Sequence, residues 1–532
     1  MEALSLTISD IYYTAYRKGE VNPKKLKLED QEKFIEGKKA ELSQYFSNLV
    51  WKFATHEEGV RAEQRERAIT AREVLTWKSV DQDDGSVKWK AKARLVLRGF
   101  EDAYVLTLDK AAPTASRLAR QTLLALAGWL SWTIYCGDVR AAFLSGKNFT
   151  RELVVKLPAD CAALLGVPPP CYMRMLKSAY GLSDAPLLWY EEADRRLKKG
   201  NWKRHALDKC CYYLADKDTG KIIAMLILHV DDLLISGQAD HPQFQEAIKQ
   251  LKENFQLGKW EVLSEASPIK YCGGVIEFNN GYVETSYEDY IKKLCPMTLR
   301  KGRPAEQPLD DAEKSKARDM IRALQWLAGQ GVPSLAASVS IQAGDLAGGD
   351  GKVLLELDKT LRFAKSVAHN KMRFLALPEN NKAQDIDDLA IVMYVDAAFD
   401  VRKDHGSQGG YVIVMGHHSV LKGNKVPTST LPWKSFKLAR VCRSSLAAEC
   451  QALSTGLDEL LLVKNFITHL QTPHLNLKEV QKRATGNCAV VTDCKSLFDG
   501  LKRENIQQAA HKRVALECLV AKELIENMKC QV

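Results

Sequence analysis

Apolar positions along this chain fall into short runs whose spacing changes from region to region. Residues 71–100 alternate apolar and polar with period two, which predicts a hairpin: VLTWKSV outward, DQDDGS as the turn, VKWKAKARLVL in return. Residues 116–132 place Leu118, Leu123, Leu124, Leu126 and Leu130 on one side, the spacing of a helix. A strand-like stretch follows over 132–144, helices over 187–199 and 242–255, and strands over 201–217 and 220–234. Residues 300–380 read as a helix-rich connector with turns at 331–333 and 348–351. After it the pattern resets. Strands are predicted over 389–399, 409–416 and 488–493, a long amphipathic helix over 444–470, and two further helices at the end. The first 70 residues are charged and helix-like.

At 532 residues the chain has room for about three to four domains. The net charge of +10 is compatible with a polyanionic partner and does not by itself identify one. The 13 cysteines are scattered and form no C-x-x-C pair, so a zinc knuckle is not supported and reduced thiols are expected. The opening residues lack a basic stretch followed by an apolar core, so they do not read as a signal peptide. The longest apolar run, 222–228, is far short of a bilayer span, and no membrane partner is expected.

Acids inside apolar runs change this picture. In MLILHVDDLL, residues 225–234, Asp231 and Asp232 interrupt a run of Met, Ile, Leu and Val. Adjacent buried carboxylates repel and desolvate one another unless a cation neutralises them. Upstream, WTIYCGDVRAAFL carries Asp138. Three carboxylates on neighbouring strands make an oxygen-rich site suited to Mg²⁺, and two metals there would support phosphoryl transfer. Against this, Asp-Asp pairs are common in solvated turns. A second set follows the connector: Asp396 late in a strand, Glu449 early in a helix and Asp493 at a strand end, with Glu517 as a fourth acid or a solvated helix glutamate. Lys88, Lys90, Lys92, Arg94 and Arg98 recur at even spacing on one face of the return strand. That face suits a nucleotide triphosphate or nucleic-acid backbone, or equally a sheet edge guarded by charge.

Nine segments, in order, carry a resemblance. They are KARLVLRGF, KAAPTASRLARQTLLALA, GDVRAAFLSG, KSAYGLSDAPLLWY, ILHVDDLLISG, YCGGVIEF, YVDAAFDVRKDHGSQGGYVIVMG, SSLAAECQALS and TDCKSL. From about residue 30 to the end, the chain resembles the reverse transcriptase and ribonuclease H region of the copia-type LTR retrotransposon Pol polyprotein. The resemblance implies an α/β (α+β) fold: a right-hand polymerase of fingers, palm and thumb, then a connector, then an RNase H-like domain. The implied boundaries are 1–70 for an N-terminal helical or fingers extension, 71–240 for fingers and palm, 241–300 for a thumb-like region, 301–385 for the connector and 386–532 for an RNase H-like domain lacking its last elements. By position, Asp138, Asp231 and Asp232 resemble the polymerase metal-binding triad, and Asp396, Glu449 and Asp493 the nuclease acids, with Glu517 the candidate fourth ligand. Phe143 resembles the aromatic that blocks a 2′-hydroxyl, although plain packing is its bland alternative. Tyr180 and Gly181 match the loop beside the incoming nucleotide, and Lys92 and Arg94 the strand that contacts triphosphate.

The resemblance further implies two Mg²⁺ (or Mn²⁺) per active site. It implies an RNA template, DNA primer, dNTPs and RNA–DNA hybrid as partners, and a parent polyprotein whose protease and integrase are not in this chain. Localisation would be cytoplasmic, in a virus-like particle, with the DNA product entering the nucleus. Three departures are visible. His229 stands where the family has Tyr, which would alter primer positioning and add pH sensitivity. Asp184 stands where Gln is frequent, which would add negative charge near a phosphate. The chain stops where a Trp-containing strand and a helix usually follow. The alternative is a decayed or repurposed retroelement fragment that binds nucleic acid without full catalysis.

Overall fold

A computed structural model describes residues 20–22, 25–81, 87–300, 302–374, 384–502 and 512–532. The expected turn at 81–86, beyond Asp81, and the first nineteen residues lie outside them. The chain divides into two units, and it passes between them more than once: Met1–Pro113 with Val139–Lys199, and Thr114–Asp138 with Gly200–Val532.

In chain order the elements begin with α1 (Leu28–Ser47), β1 (Trp51–Phe53), α2 (His56–Gln64), β2 (Ala68–Asp81) and β3 (Val87–Leu97). The second unit then takes α3 (Arg117–Trp129) and β4 (Thr133–Val139). The first resumes with β5 (Val154–Lys156), α4 (Ala159–Leu164), β6 (Tyr172–Met175) and α5 (Ala185–Lys199). Its sheet has the order β1-β6-β5-β2-β3. The expected hairpin is present, in register from Ala71 opposite Leu97 to Asp81 opposite Val87. Alternation along β3 buries Ala93, Leu95 and Leu97 and turns Lys90 and Arg94 outward. The β3 edge is covered around Leu95 by α1: Tyr45 Oη donates to Leu95 O at 2.7 Å, and Leu95 N–H donates to Glu41 at 3.2 Å. β1 pairs with β6 inside this sheet, so this part of the helical or fingers extension is built into it.

The second unit continues with β7 (Lys203–Arg204), β8 (Cys211–Ala215), β9 (Ile222–His229), β10 (Asp232–Gly237), α6 (Pro242–Asn254) and β11 (Leu257–Val262). These strands and β4 form a six-stranded sheet, β11-β4-β10-β9-β8-β7. The MLILHVDDLL run, a buried strand or hairpin by its apolar pattern, is a hairpin, with β9 buried from Ile222 to Leu228. The stretch read as thumb-like, 241–300, holds strands as well as α6. It gives β11 to this sheet and β12 (Ile269–Tyr271), β13 (Gly274–Asn279) and β14 (Tyr282–Ser286) to a second one. After α7 (Glu288–Lys292), the connector consists of α8 (Asp311–Gln330), α9 (Ala336–Asp345) and α10 (Gly351–Ser366), and β15 (Met372–Arg373) then joins β14.

The last region holds β16 (Leu389–Ala398), β17 (Gln408–His417), β18 (Thr428–Lys437), α11 (Ser445–Gln471), α12 (Leu477–Arg483), β19 (Cys488–Val491), α13 (Lys495–Lys502) and α14 (Lys512–Asn527). Its sheet order is β18-β17-β16-β19, antiparallel except for the β16–β19 pair. No helix among the described residues is long and apolar enough to cross a membrane.

One apolar core runs from Leu123 and Leu124 on α3 to Met393, Leu453 and Leu457 in the last sheet and α11. Polar groups close the same junction. The final carbonyls of α8 have no intrahelical partner and would be orphaned by burial. Arg117 donates to Gly329 O at 2.9 Å and to Trp433 O at 2.5 Å; Arg120 donates to the side chain and carbonyl of Gln330; Trp433 Nε1 donates to Ala328 O at 2.8 Å. Arg117→Ala should therefore lower unfolding stability by about 3 kcal/mol, since charged hydrogen bonds to buried carbonyls are lost. An unchanged urea midpoint would show that this junction is not stabilising.

Candidate active sites

β4 and β10 run antiparallel with Asp232 opposite Asp138, and β9–β10 closes with Asp232 opposite His229. Val230 and Asp231 form the turn between them. Val230 sits at φ 58°, a region that β-branched residues avoid, and such strain persists where surrounding structure enforces it. Gly137 precedes Asp138 because a Cβ there would come 3.0 Å from the Trp260 ring on β11. Burial, then the charges of Asp231 and Asp138, push the Asp232 carboxyl up to about 6. Burial also drives the nearby Cys136 thiol up to about 12, which makes it inert. His229 meets Tyr271 edge-on at 6.3 Å. Burial and Arg120 lower its pKa, so the pH sensitivity expected of this histidine moves away from neutral pH.

The second acidic set is tighter. Ligand oxygens of Asp396, Glu449 and Asp493 lie within 4.8 Å of one another, the one such group of three metal-ligating side chains among the described residues. Asp138, Asp231 and Asp232 are not drawn that close. Asp396 is on β16, Asp493 just follows β19, and Glu449 lies in the second turn of α11, behind the N-cap Ser444. Small residues bring α11 against the sheet, as the sequence SSLAAECQALS suggests. Ala448 and Ala452 are fully buried, and a Cβ on Gly456 would meet Met393 Sδ at 2.8 Å. Burial, Asp396 and Asp493 raise the Glu449 carboxyl to about 7, against one favourable hydrogen bond from the Ala397 backbone. Its Oε2 is buried with no hydrogen-bond partner. Glu517 does not join this group: on α14 it pairs with Arg440. Its neighbour Cys518 instead packs on Cys450, Sγ to Sγ 3.1 Å.

In the first unit, four of the five expected nucleotide residues meet. The Arg94 guanidinium lies 5.6 Å from the Tyr180 ring, and Phe143 meets that ring edge-on at 5.7 Å. Leu97 N–H donates to Tyr180 O at 2.7 Å. Gly181 has φ 94°, and a Cβ there would fall 2.0 Å from Leu97 O, so only glycine fits. Lys92 shares the outward face of β3 with Arg94, opposite Thr76. Asp184 overturns its expected effect. It is buried and bound by Arg151, so it adds no free negative charge. Arg151 was not singled out from sequence, since a lone arginine in a polar loop carries no pattern.

Residues 57–302 match the reverse transcriptase (RNA-dependent DNA polymerase) family. The chain is 29% identical over 229 residues to the retrovirus-related Pol polyprotein from transposon TNT 1-94 of Nicotiana tabacum, covering 42% of this chain and 17% of that protein. It is 24% identical over 403 residues to the corresponding polyprotein from transposon RE1 of Arabidopsis thaliana, covering 73% of this chain and 25% of that protein. The chain thus spans a quarter or less of these relatives. Among solved structures, a foamy viral protease-reverse transcriptase in complex with double-stranded DNA aligns at 12% identity with a TM-score of 0.49, over 98% of this chain and 84% of that one, too loosely to carry an argument. The resemblance to a copia-type Pol polyprotein read from the nine segments is borne out by the family match and these relatives.

A carboxyl whose folded pKa lies above its unfolded value loses stability for the fold as pH rises between the two. For Glu449 the window runs from 4.5 to about 7. With divalent metal chelated, the melting temperature should fall across that window, and Glu449→Gln should remove the slope. Added Mg²⁺ must displace the proton, so its apparent affinity should rise up to about tenfold per pH unit below 7. A flat pH profile in both proteins would refute the raised carboxyl.

Proposed function

We propose that this chain is an RNA-directed DNA polymerase carrying a ribonuclease H-like nuclease, the reverse transcriptase region of a copia-type retrotransposon Pol polyprotein. The observation that carries the reading is the ladder setting Asp232 opposite Asp138 inside the segment that matches reverse transcriptases. In this reading the first unit supplies the fingers, the sheet holding β4, β9 and β10 is the palm, and the sheet holding β16 is the nuclease.

Both acidic sets fit a hard divalent cation. Every donor is a carboxylate oxygen, Glu449 Oε2 is buried without a partner, and Asp232 is held above its ordinary pKa by burial and then by its acidic neighbours. Asp138, Asp231 and Asp232 would hold Mg²⁺ or Mn²⁺ in one site, and Asp396, Glu449 and Asp493 in the other. When bound, such a cation offsets the carboxylate charge and stabilises charge on phosphoryl oxygens. The chain's own residues do the rest. Lys92 and Arg94 would pair with the triphosphate of a dNTP. The Phe143 ring would exclude a 2′-hydroxyl by bulk. Tyr180 and the Cβ-free backbone at Gly181 would allow close approach of the nucleotide. The net charge of +10 favours an RNA template, a DNA primer and their hybrid.

Glu517 is engaged by Arg440, which leaves three nuclease acids together and favours weak RNA cleavage beside active synthesis. The test is Mg²⁺- or Mn²⁺-dependent dNTP incorporation on an RNA template with a DNA primer, alongside cleavage of the RNA strand of a hybrid. Asp231→Asn/Asp232→Asn should reduce incorporation by more than about 100-fold while sparing cleavage. Glu449→Gln should do the reverse. Full incorporation by the double variant would overturn the polymerase assignment. No incorporation by folded wild-type protein would favour a retroelement relic that binds nucleic acid without catalysis.

A further inference from the structure

Arg151 lies just before β5, in the first unit, between two buried carboxylates. Its Nε donates to Asp102 at 3.1 Å, and Nη1 and Nη2 donate to the two oxygens of Asp184 at 2.5 and 3.1 Å. Nη2 is also 3.0 Å from Asp102, and the guanidinium lies 4.3 Å from the Phe149 ring centroid. Asp102 and Asp184 are 2% and 3% exposed. The three residues sit on three separate loops. Asp102 closes the turn after β3, where it also accepts from Tyr104 N–H; Asp184 immediately precedes α5.

The loop that ends at Asp184 begins at Tyr180. Its start is fixed by the Leu97 hydrogen bond to Tyr180 O and by the glycines at 99 and 181: a Cβ on Gly99 would come 2.4 Å from Gly181 O. Its end is fixed by Arg151. A buried ion pair is a poor source of stability compared with apolar packing, but it defines geometry closely. Two carboxylates arranged around one planar fork suit arginine and not lysine, whose ammonium is a point charge.

We propose that Arg151 is a positioning residue for nucleotide binding: by joining Asp102 to Asp184 it holds the Tyr180–Gly181 loop in place, and with it the Arg94–Tyr180–Phe143 contact that receives a deoxynucleoside triphosphate. The proposal rests on the reverse transcriptase reading. It also gives Asp184 a role different from that of an amide facing the nucleotide, because both its oxygens are occupied by Arg151.

Steady-state dNTP incorporation by the full chain tests it, for wild type, Arg151→Lys, Asp184→Asn and the double variant, with melting temperature and primer–template affinity measured on each. Arg151→Lys should raise KM for dNTP by about tenfold, within the range that small misplacements of a binding group produce, with kcat and primer–template affinity changed less than about twofold. Asp184→Asn, which keeps the acceptor shape and is the milder test of folding, should raise KM less, and the double variant should show less than the product of the two effects. Unchanged KM in both single variants overturns the proposal and leaves the polymerase reading intact. A fall in kcat, affinity and melting temperature together, with no selective change in KM, overturns it in favour of a purely structural triad. No incorporation by folded wild type overturns the polymerase reading and the proposal with it.

Discussion

Carboxyl groups that the backbone holds partly buried beside other acids are the constraint on which this molecule turns. A ladder sets Asp232 opposite Asp138, and helix-to-sheet packing brings Glu449 to Asp396 and Asp493. Neither arrangement relaxes by moving a side chain away, because strand register and α11 packing are set by many apolar contacts at once. Burial first, and then the neighbouring carboxylates, raise these carboxyls instead, Asp232 to about 6 and Glu449 to about 7. Elsewhere the chain treats clustered acids differently. Asp102 and Asp184 receive Arg151, and Glu517 receives Arg440. Acids with a built-in arginine have their charge offset within the protein, whereas Asp232 and Glu449 are left with raised pKa values.

Apolar burial supplies the rigidity this requires. The core beneath α3 continues into the sheet that bears Asp396, so the two acidic sets of the second unit share one packed interior. Arg117, Arg120 and Trp433 satisfy the last carbonyls of α8 at the same place. A connector helix that ended there without these donors would leave buried carbonyls unpaired, at a cost of about 1–3 kcal/mol each. The result is a helix end whose last carbonyls are satisfied by side chains from outside the helix.

Local pattern made much of this legible. Period-two alternation marked β2 and β3, and the small residues around Glu449 announced a helix packed closely on a sheet. The acids were visible because an aspartate inside an apolar run conflicts with its surroundings. What depends on distant partners was not visible. Trp51 reads as part of a charged N-terminal stretch, yet its strand pairs with Met175, more than a hundred residues on. Residues 257–262 fall in the stretch read as thumb-like, and their place next to β4, where Leu263 N–H donates to Ile134 O, depends on a strand more than a hundred residues earlier. Asp184 showed its charge but not the arginine that cancels it, and Glu517 showed its helix position but not Arg440. His229 suggested a switch near neutral pH, and only its burial gave the sign of the shift.

The passage of the chain between the two units bears on the order in which it can be made. β4, with Asp138 near its end, emerges from the ribosome before either of its sheet neighbours, β10 and β11, has been synthesised. Roughly ninety residues of growing polypeptide separate β4 from β10, during which β4 presents two open edges. An apolar strand in that condition is a template for pairing with another nascent copy. The aspartate that the finished molecule holds opposite Asp232 would meanwhile act as a gatekeeper, a charge that discourages like strands from stacking. One side chain would thus serve the protein twice, first by keeping an unfinished sheet solitary and later opposite Asp232 in the completed sheet.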